Sequence, residues 1–244
     1  MGGPPWLTAR PVAHRGLHDA VNVIENTPAA VAAAASAGYA AEVDLQISAD
    51  GEAVVHHDAE LGRLTDGHGR LDALPAAELK RIPFKGTSDR MMTLSDLLDL
   101  VAGRVGLFLE LKSRFDCDPR LPHRVAEVVK SYAGPVAAMS FDPYQVEAVR
   151  ELAPGLIRGI VAERYRAGES EGPGGRERLA YLLHGLRSRP QFVAYHVNDL
   201  PAAGPLLARH VLGMPLLTWT VRTDAQRARA ARWADQMIFE GFRP

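Results

Sequence analysis

Apolar positions recur along this chain in short extended runs, each followed by a stretch with helical spacing. The runs at Pro11 to His14, Tyr39 to Gln46, Val105 to Lys112, Val136 to Ser140, Leu156 to Ile160, Phe192 to Ala194, Pro215 to Thr220 and Gln236 to Phe239 predict eight strands. Strands that alternate with helices imply a parallel sheet with crossover connections, and eight such units close a barrel. The expected fold class is therefore α/β, a (β/α)8 TIM barrel. The alternation is interrupted once, over about 48–92, after the second strand. There Ser48-Ala-Asp-Gly51 predicts a hairpin turn, and Leu61 to Met92 carries only short helical signals. The apolar run from Pro28 to Ala41 is rich in alanine and shorter than the roughly 20 residues that span a bilayer, so it predicts a packed helix. Ala162 to Arg176 is polar and Gly-rich, the signature of an exposed loop. No internal repeat or linker divides residues 1–244, which read as a single domain.

Composition narrows the partners. With 244 residues, 47% of them hydrophobic, the chain can fill one barrel core. A formal net charge of -1 supplies no global field for nucleic acid or an anionic membrane, so anion binding must come from locally placed groups. A small-molecule substrate is expected, with no nucleic acid and no stable membrane insertion. The one cysteine, Cys117, excludes an intrachain disulfide framework and reads as an incidental thiol. The first residues show neither a basic start nor an apolar leader, and Trp6 stands where a myristoylation motif needs Ser or Thr, so a cytoplasmic location is expected.

The candidate chemistry lies near predicted strand ends. Glu42 and Asp44 are two apart in "AAEVDLQI", which points both carboxylates to one face of a strand, and Glu110 and Lys112 repeat the spacing in "LFLELKS". Barrel active sites form where strands end at the C-terminal face, so the four side chains should converge on one mouth. Like unit charges about 4 Å apart cost on the order of 4 kcal/mol at an effective dielectric of 20, so the three carboxylates call for a cation. An all-oxygen set favours a hard ion, Mg²⁺ or Ca²⁺, over zinc. Three carboxylates set against Arg15, Lys112 and a divalent ion leave one surplus positive charge, which a phosphodiester monoanion neutralises. His14 ends the first strand at this mouth, Gly16 lets the backbone turn sharply, and the Arg15 guanidinium suits phosphate oxygens. A second extended run brings His56, His57 and Asp58 to its end, and two imidazoles flanking a phosphate can divide the work of base and acid.

His14-Arg15-Gly16, Glu25-Asn26-Thr27, Glu42-x-Asp44, His57-Asp58, Leu61-x-Arg63-x-Thr65-x-Gly67-x-Gly69, Glu110-x-Lys112 and Trp219-Thr220-Val221 follow one another in an order that resembles the glycerophosphodiester phosphodiesterase family. The resemblance implies a metal-dependent (β/α)8 barrel that releases glycerol 3-phosphate and an alcohol from glycerophosphodiesters. It implies Glu42, Asp44 and Glu110 as metal ligands, His14 and His57 as the acid/base pair, and Arg15 and Lys112 as phosphate contacts. Between the histidines we assign His14 as base and His57 as acid. Trp219 is expected to wall the substrate pocket at a strand end. Three positions depart from the family pattern: Met92 replaces the usual Pro before Thr93-Leu94, Arg222 replaces the usual Asn, and the last strand ends Met237-Ile-Phe-Glu240 where Ile-Ile-Thr-Asp is common.

Two other readings compete with this one. A lysophospholipase D or sphingomyelinase D type on the same barrel calls for an apolar rim, which the polar Ala162 to Arg176 stretch does not suggest. A phosphodiester-binding barrel without turnover calls for loss of a ligand or histidine, and none is lost. His18, His56 and His68 are expected to be surface or loop histidines outside the reaction. Glu25 and Asn26 are expected either to cap the helix that starts at Thr27-Pro28, to support the site, or to touch the ligand. Asp58 is expected to orient His57 or the turn rather than to bind the metal.

Overall fold

The computed structural model describes residues 3–19, 22–164, 185 and 187–244. Eight parallel strands close on themselves: β1 (Val12–Ala13), β2 (Ala40–Ile47), β4 (Leu107–Leu111), β5 (Val136–Ser140), β6 (Ile157–Ala162), β7 (Phe192–His196), β8 (Leu216–Val221) and β9 (Gln236–Phe239). β1 pairs with both β9 and β2, which completes the (β/α)8 barrel. Each predicted strand coincides with one of these. β3 (Ala53–Val55) runs antiparallel beside the end of β2, with Leu45 opposite Val55. It is the return arm of the predicted hairpin, whose turn is tied by Ser48 Oγ accepting from the Glu52 N–H at 2.8 Å.

Side-chain alternation sorts residues between two cores. On β2 and β4 the odd positions Val43, Leu45, Leu107, Leu109 and Leu111 face outward and pack against Val31, Leu94, Leu97 and Val125 on the surrounding helices. The even positions face the barrel interior. That interior is apolar at its lower end, where Val12, Ala40, Phe108, Phe192 and Ile238 meet and the Trp6 ring lies 5.6 Å from Phe108. Gly159 on β6 leaves room for Phe192, whose ring a Cβ would meet at 2.3 Å. Higher on the same inward faces the sequence changes from Ala40 to Glu42 and Asp44, and from Phe108 to Glu110 and Lys112. The greasy plug thus ends where the charged layer begins.

Two sequence expectations are corrected here. The helix expected over Pro28 to Ala41 ends at Ser36, because Gly38 takes φ 75° and turns the chain, leaving Ala40 and Ala41 to open β2. The inserted segment builds a small core of its own from Val54, Leu61, Leu71, Leu79, Phe84 and Met91, with a short helix at Ala76–Leu79. His56 lies inside it, 1% exposed and beside Phe84, so it is a buried histidine and not a surface one. Most of the predicted loop from Ala162 to Arg176 lies outside the described residues, and no described helix is long and apolar enough to cross a membrane.

Candidate active site

The parallel register places Asp44 beside Glu110, and Glu42 lies one pleat below Asp44 on the same face. One carboxylate oxygen from each of Glu42, Asp44 and Glu110 lies within 4.8 Å of the others, and all three side chains are buried. Their surroundings differ. The Lys112 ammonium sits 2.7 Å from Asp44 and 2.6 Å from Glu110, and Arg15 Nε lies 3.2 Å from Asp44 Oδ2. Among the described residues Glu42 accepts only the Arg15 backbone N–H, at 2.9 Å, and its buried Oε1 has no hydrogen-bond partner. Burial, and then the charges of Asp44 and Glu110, push the Glu42 carboxyl well above the usual carboxylate range. Burial opposes ionisation of Asp44 too, but Lys112 and Arg15 prevail and hold it below its usual range. An all-oxygen triad with an orphaned buried oxygen fits a hard divalent cation.

The segment between β1 and the next helix folds around this triad. Arg15 and Asn26 both take positive φ, 55° and 58°, and Gly16 follows at 81°. This path lets the Arg15 N–H reach Glu42 and lets Asn26 clamp Asp44 twice, through Nδ2 to Oδ2 at 2.8 Å and from the Asp44 N–H to Oδ1 at 3.2 Å. Thr27 caps the helix by accepting from the Ala30 N–H. Asn26 thus braces Asp44, and Glu25 braces Arg15. Glu25 Oε1 accepts from Arg15 and from Arg63, both at 2.7 Å.

The two histidines come from different strands, His14 directly after β1 and His57 just beyond β3. His57 Nδ1 is 2.7 Å from Asp58 Oδ1, so Asp58 does orient it, and Arg63 Nε donates to Asp58 Oδ2 at 2.5 Å. Burial would raise Asp58, yet the Arg63 and His57 hydrogen bonds bring it down to about 2. The chain Arg15, Glu25, Arg63, Asp58, His57 therefore links the two halves of the mouth through ion pairs. Arg63 stands in a motif of the sequence, but its spacing alone did not reveal this bridging. His14 Nε2 is 4.0 Å from Glu42 Oε2, and its Nδ1 is 2.7 Å from Glu240 Oε2.

A cavity of about 500 Å³ opens beside His57 and Lys112, lined also by Gln46, Asp58, Ser113, Arg114 and Gln145. Gln46 donates to the His57 carbonyl at 2.8 Å, which fixes the entry to the histidine loop. Trp219, in the second half of β8, packs edge-on against Phe141 and His196, and its buried indole N–H has no acceptor among the described residues. His68 is exposed, Cys117 is exposed with a free thiol, and His18 is half-buried.

A sequence profile described as the glycerophosphoryl diester phosphodiesterase family matches residues 14–242. The chain is 29% identical to a glycerophosphodiester phosphodiesterase of Caldanaerobacter subterraneus subsp. tengcongensis, over 88% of each chain. In fold it is similar to a phosphodiesterase of Oleispira antarctica solved with the product sn-glycerol-3-phosphate, at TM-score 0.78 and 22% identity over 99% of this chain and 96% of that one. It is also similar to a glycerophosphodiester phosphodiesterase of Thermotoga maritima, at TM-score 0.71 and 23% identity over 93% of each chain.

Proposed function

Because the chain belongs to the glycerophosphoryl diester phosphodiesterase family, we propose that it hydrolyses glycerophosphodiesters to glycerol 3-phosphate and an alcohol, with Mg²⁺ or Ca²⁺ held by Glu42, Asp44 and Glu110. The observation that carries this reading is the buried three-carboxylate cup with Arg15 and Lys112 on its rim, His14 beside Glu42, and His57 lining the same cavity as Lys112. When bound, the ion offsets the carboxylate charges and polarises a phosphoryl oxygen.

The remaining chemistry belongs to the protein. Arg15 and Lys112 bind the phosphate and oppose the negative charge that grows on it in the transition state. His14 accepts the proton of the attacking oxygen at Nε2. His57 holds one proton at Nδ1 toward Asp58 and delivers the other from Nε2 to the departing alkoxide. The depressed Asp58 stays ionised near neutral pH and stabilises the charged imidazole. The indole N–H of Trp219 has no acceptor among the described residues, so it is a free donor for a bound substrate that reaches it.

Turnover of a panel of glycerophosphodiesters by protein stripped with a chelator and then reloaded tests the reading. The stripped protein is expected to stay folded and inactive, and Mg²⁺ or Ca²⁺ to restore activity. Full activity after chelation, with no metal found by elemental analysis, would refute the metal assignment.

A further inference from the structure

Arg222 and Glu240, two of the positions that depart from the family pattern, meet each other in space. Arg222 Nη2 lies 2.9 Å from Glu240 Oε2, and the same oxygen is 2.7 Å from His14 Nδ1. The three residues follow the ends of β8, β9 and β1. Backbone bonds stitch those ends together: the Glu240 N–H donates to the Val221 carbonyl at 3.0 Å, and the His14 N–H to the Phe239 carbonyl at 2.9 Å. Position and partner are therefore set by the barrel and not by a free loop.

An ionised carboxylate can only accept, so the hydrogen shared by His14 and Glu240 belongs to Nδ1. A neutral imidazole with its hydrogen on Nδ1 has a bare lone pair on Nε2. That nitrogen is the one facing the carboxylate cup. Resting on the phosphodiesterase reading above, we propose that Glu240, anchored by Arg222, is a positioning residue that holds His14 in the Nδ1–H tautomer, with Nε2 presented to the attacking oxygen. The assignment of His14 as base then follows from its partner. A neighbouring arrangement competes for the same groups: ligand atoms of His14, His18 and Glu240 lie within 4.8 Å of one another. Positioning is favoured because Glu240 is already engaged by both Arg222 and His14.

The test uses the full chain with saturating Mg²⁺ and glycerophosphoethanolamine as substrate. Glu240→Gln is expected to lower kcat by roughly 10²- to 10⁴-fold with KM within about threefold, because an amide can donate to Nδ1 and force the hydrogen onto Nε2. Nitrogen-15 histidine spectra should show His14 as the Nδ1–H tautomer in the parent and lose that signature in Glu240→Gln. Glu240→Asp, which keeps the carboxylate, should restore kcat to within about tenfold of the parent. Arg222→Gln, which removes only the anchor, should cost about tenfold or less and covers the case in which Glu240→Gln fails to fold. A kcat within threefold of the parent in Glu240→Gln, or an Nε2–H tautomer in the parent, would overturn the proposal. So would a second divalent ion per chain that disappears in Glu240→Gln. If the parent turned over no glycerophosphodiester, the functional reading would fall while the spectra still decided the tautomer.

Discussion

Among the described residues Glu42 is the carboxylate of the triad with no Lys or Arg side chain in ion-pair contact, and replacing it by glutamine should stabilise the metal-free protein while abolishing its response to metal. Lys112 and Arg15 serve Asp44 and Glu110, whereas Glu42 has one backbone N–H and an orphaned oxygen. Two like charges 4.8 Å apart repel by about 3 kcal/mol at an effective dielectric of 20. Since Lys112 and Arg15 already offset much of the charge on the other two, about 1–2 kcal/mol should remain for Glu42 to impose on the apo fold. In Glu42→Gln the amide oxygen keeps the Arg15 N–H, and the amide hydrogens point toward carboxylates. Thermal melting in chelator at pH 8 should therefore place the variant roughly 2–8 °C above the apo parent, at about 2–4 °C per kcal/mol for a chain of this size. The pH dependence has a definite sign. A carboxyl raised above its unfolded value lets the folded state hold the extra proton, so the apo parent loses stability as pH rises from the unfolded value through the raised one. The variant should lack that loss, and the two melting curves should converge toward pH 5. Adding Mg²⁺ or Ca²⁺ at about 100 times Kd should raise the parent by about 2.7 kcal/mol and the variant by far less. An apo variant that melts below the apo parent at pH 8, or that responds to the ion as fully as the parent does, would refute the charge assignment.

Three further outcomes are expected. His57→Ala should lose roughly 10²- to 10⁴-fold on an alkyl glycerophosphodiester but far less on a nitrophenyl analogue, whereas His14→Ala should hurt both alike; the reverse pattern in steady-state kinetics would swap acid and base. Asn26→Gly removes the clamp on Asp44 without adding positive-φ strain, so divalent affinity measured by calorimetry should fall about 10- to 100-fold, and an unchanged affinity would deny the clamp a role. Phe108→Ala should cost about 3–5 kcal/mol in urea unfolding because its ring fills the barrel between Trp6 and Phe192, and a loss under 1 kcal/mol would mean the lower interior is not close-packed.

Eight strands, their order along the chain and the side-by-side pairing of Glu42 with Asp44 and of Glu110 with Lys112 were legible in the sequence, because strand periodicity and the i, i+2 rule are local. The same locality made His14, Arg15, His57 and Trp219 recognisable as strand-end residues, and Asp58 as the neighbour that orients His57. Locality also misled. His56 adjoins His57 and looked like a loop residue, but the inserted segment buries it against Phe84, 28 positions away in sequence. The helix over Pro28 to Ala41 was overextended because alanine serves both helix and barrel strand, and the turn at Gly38 decided between them. Only the closed barrel determined which charges meet. Arg63 finds Glu25 across 38 residues, Asn26 reaches Asp44 across 18, and Glu240 comes to His14 across 226, because barrel closure puts the last strand beside the first. Residue type and local period set what each side chain is able to do, whereas long-range strand register set which partner it does it with, and that partner establishes whether a carboxylate is neutralised and where a histidine carries its proton.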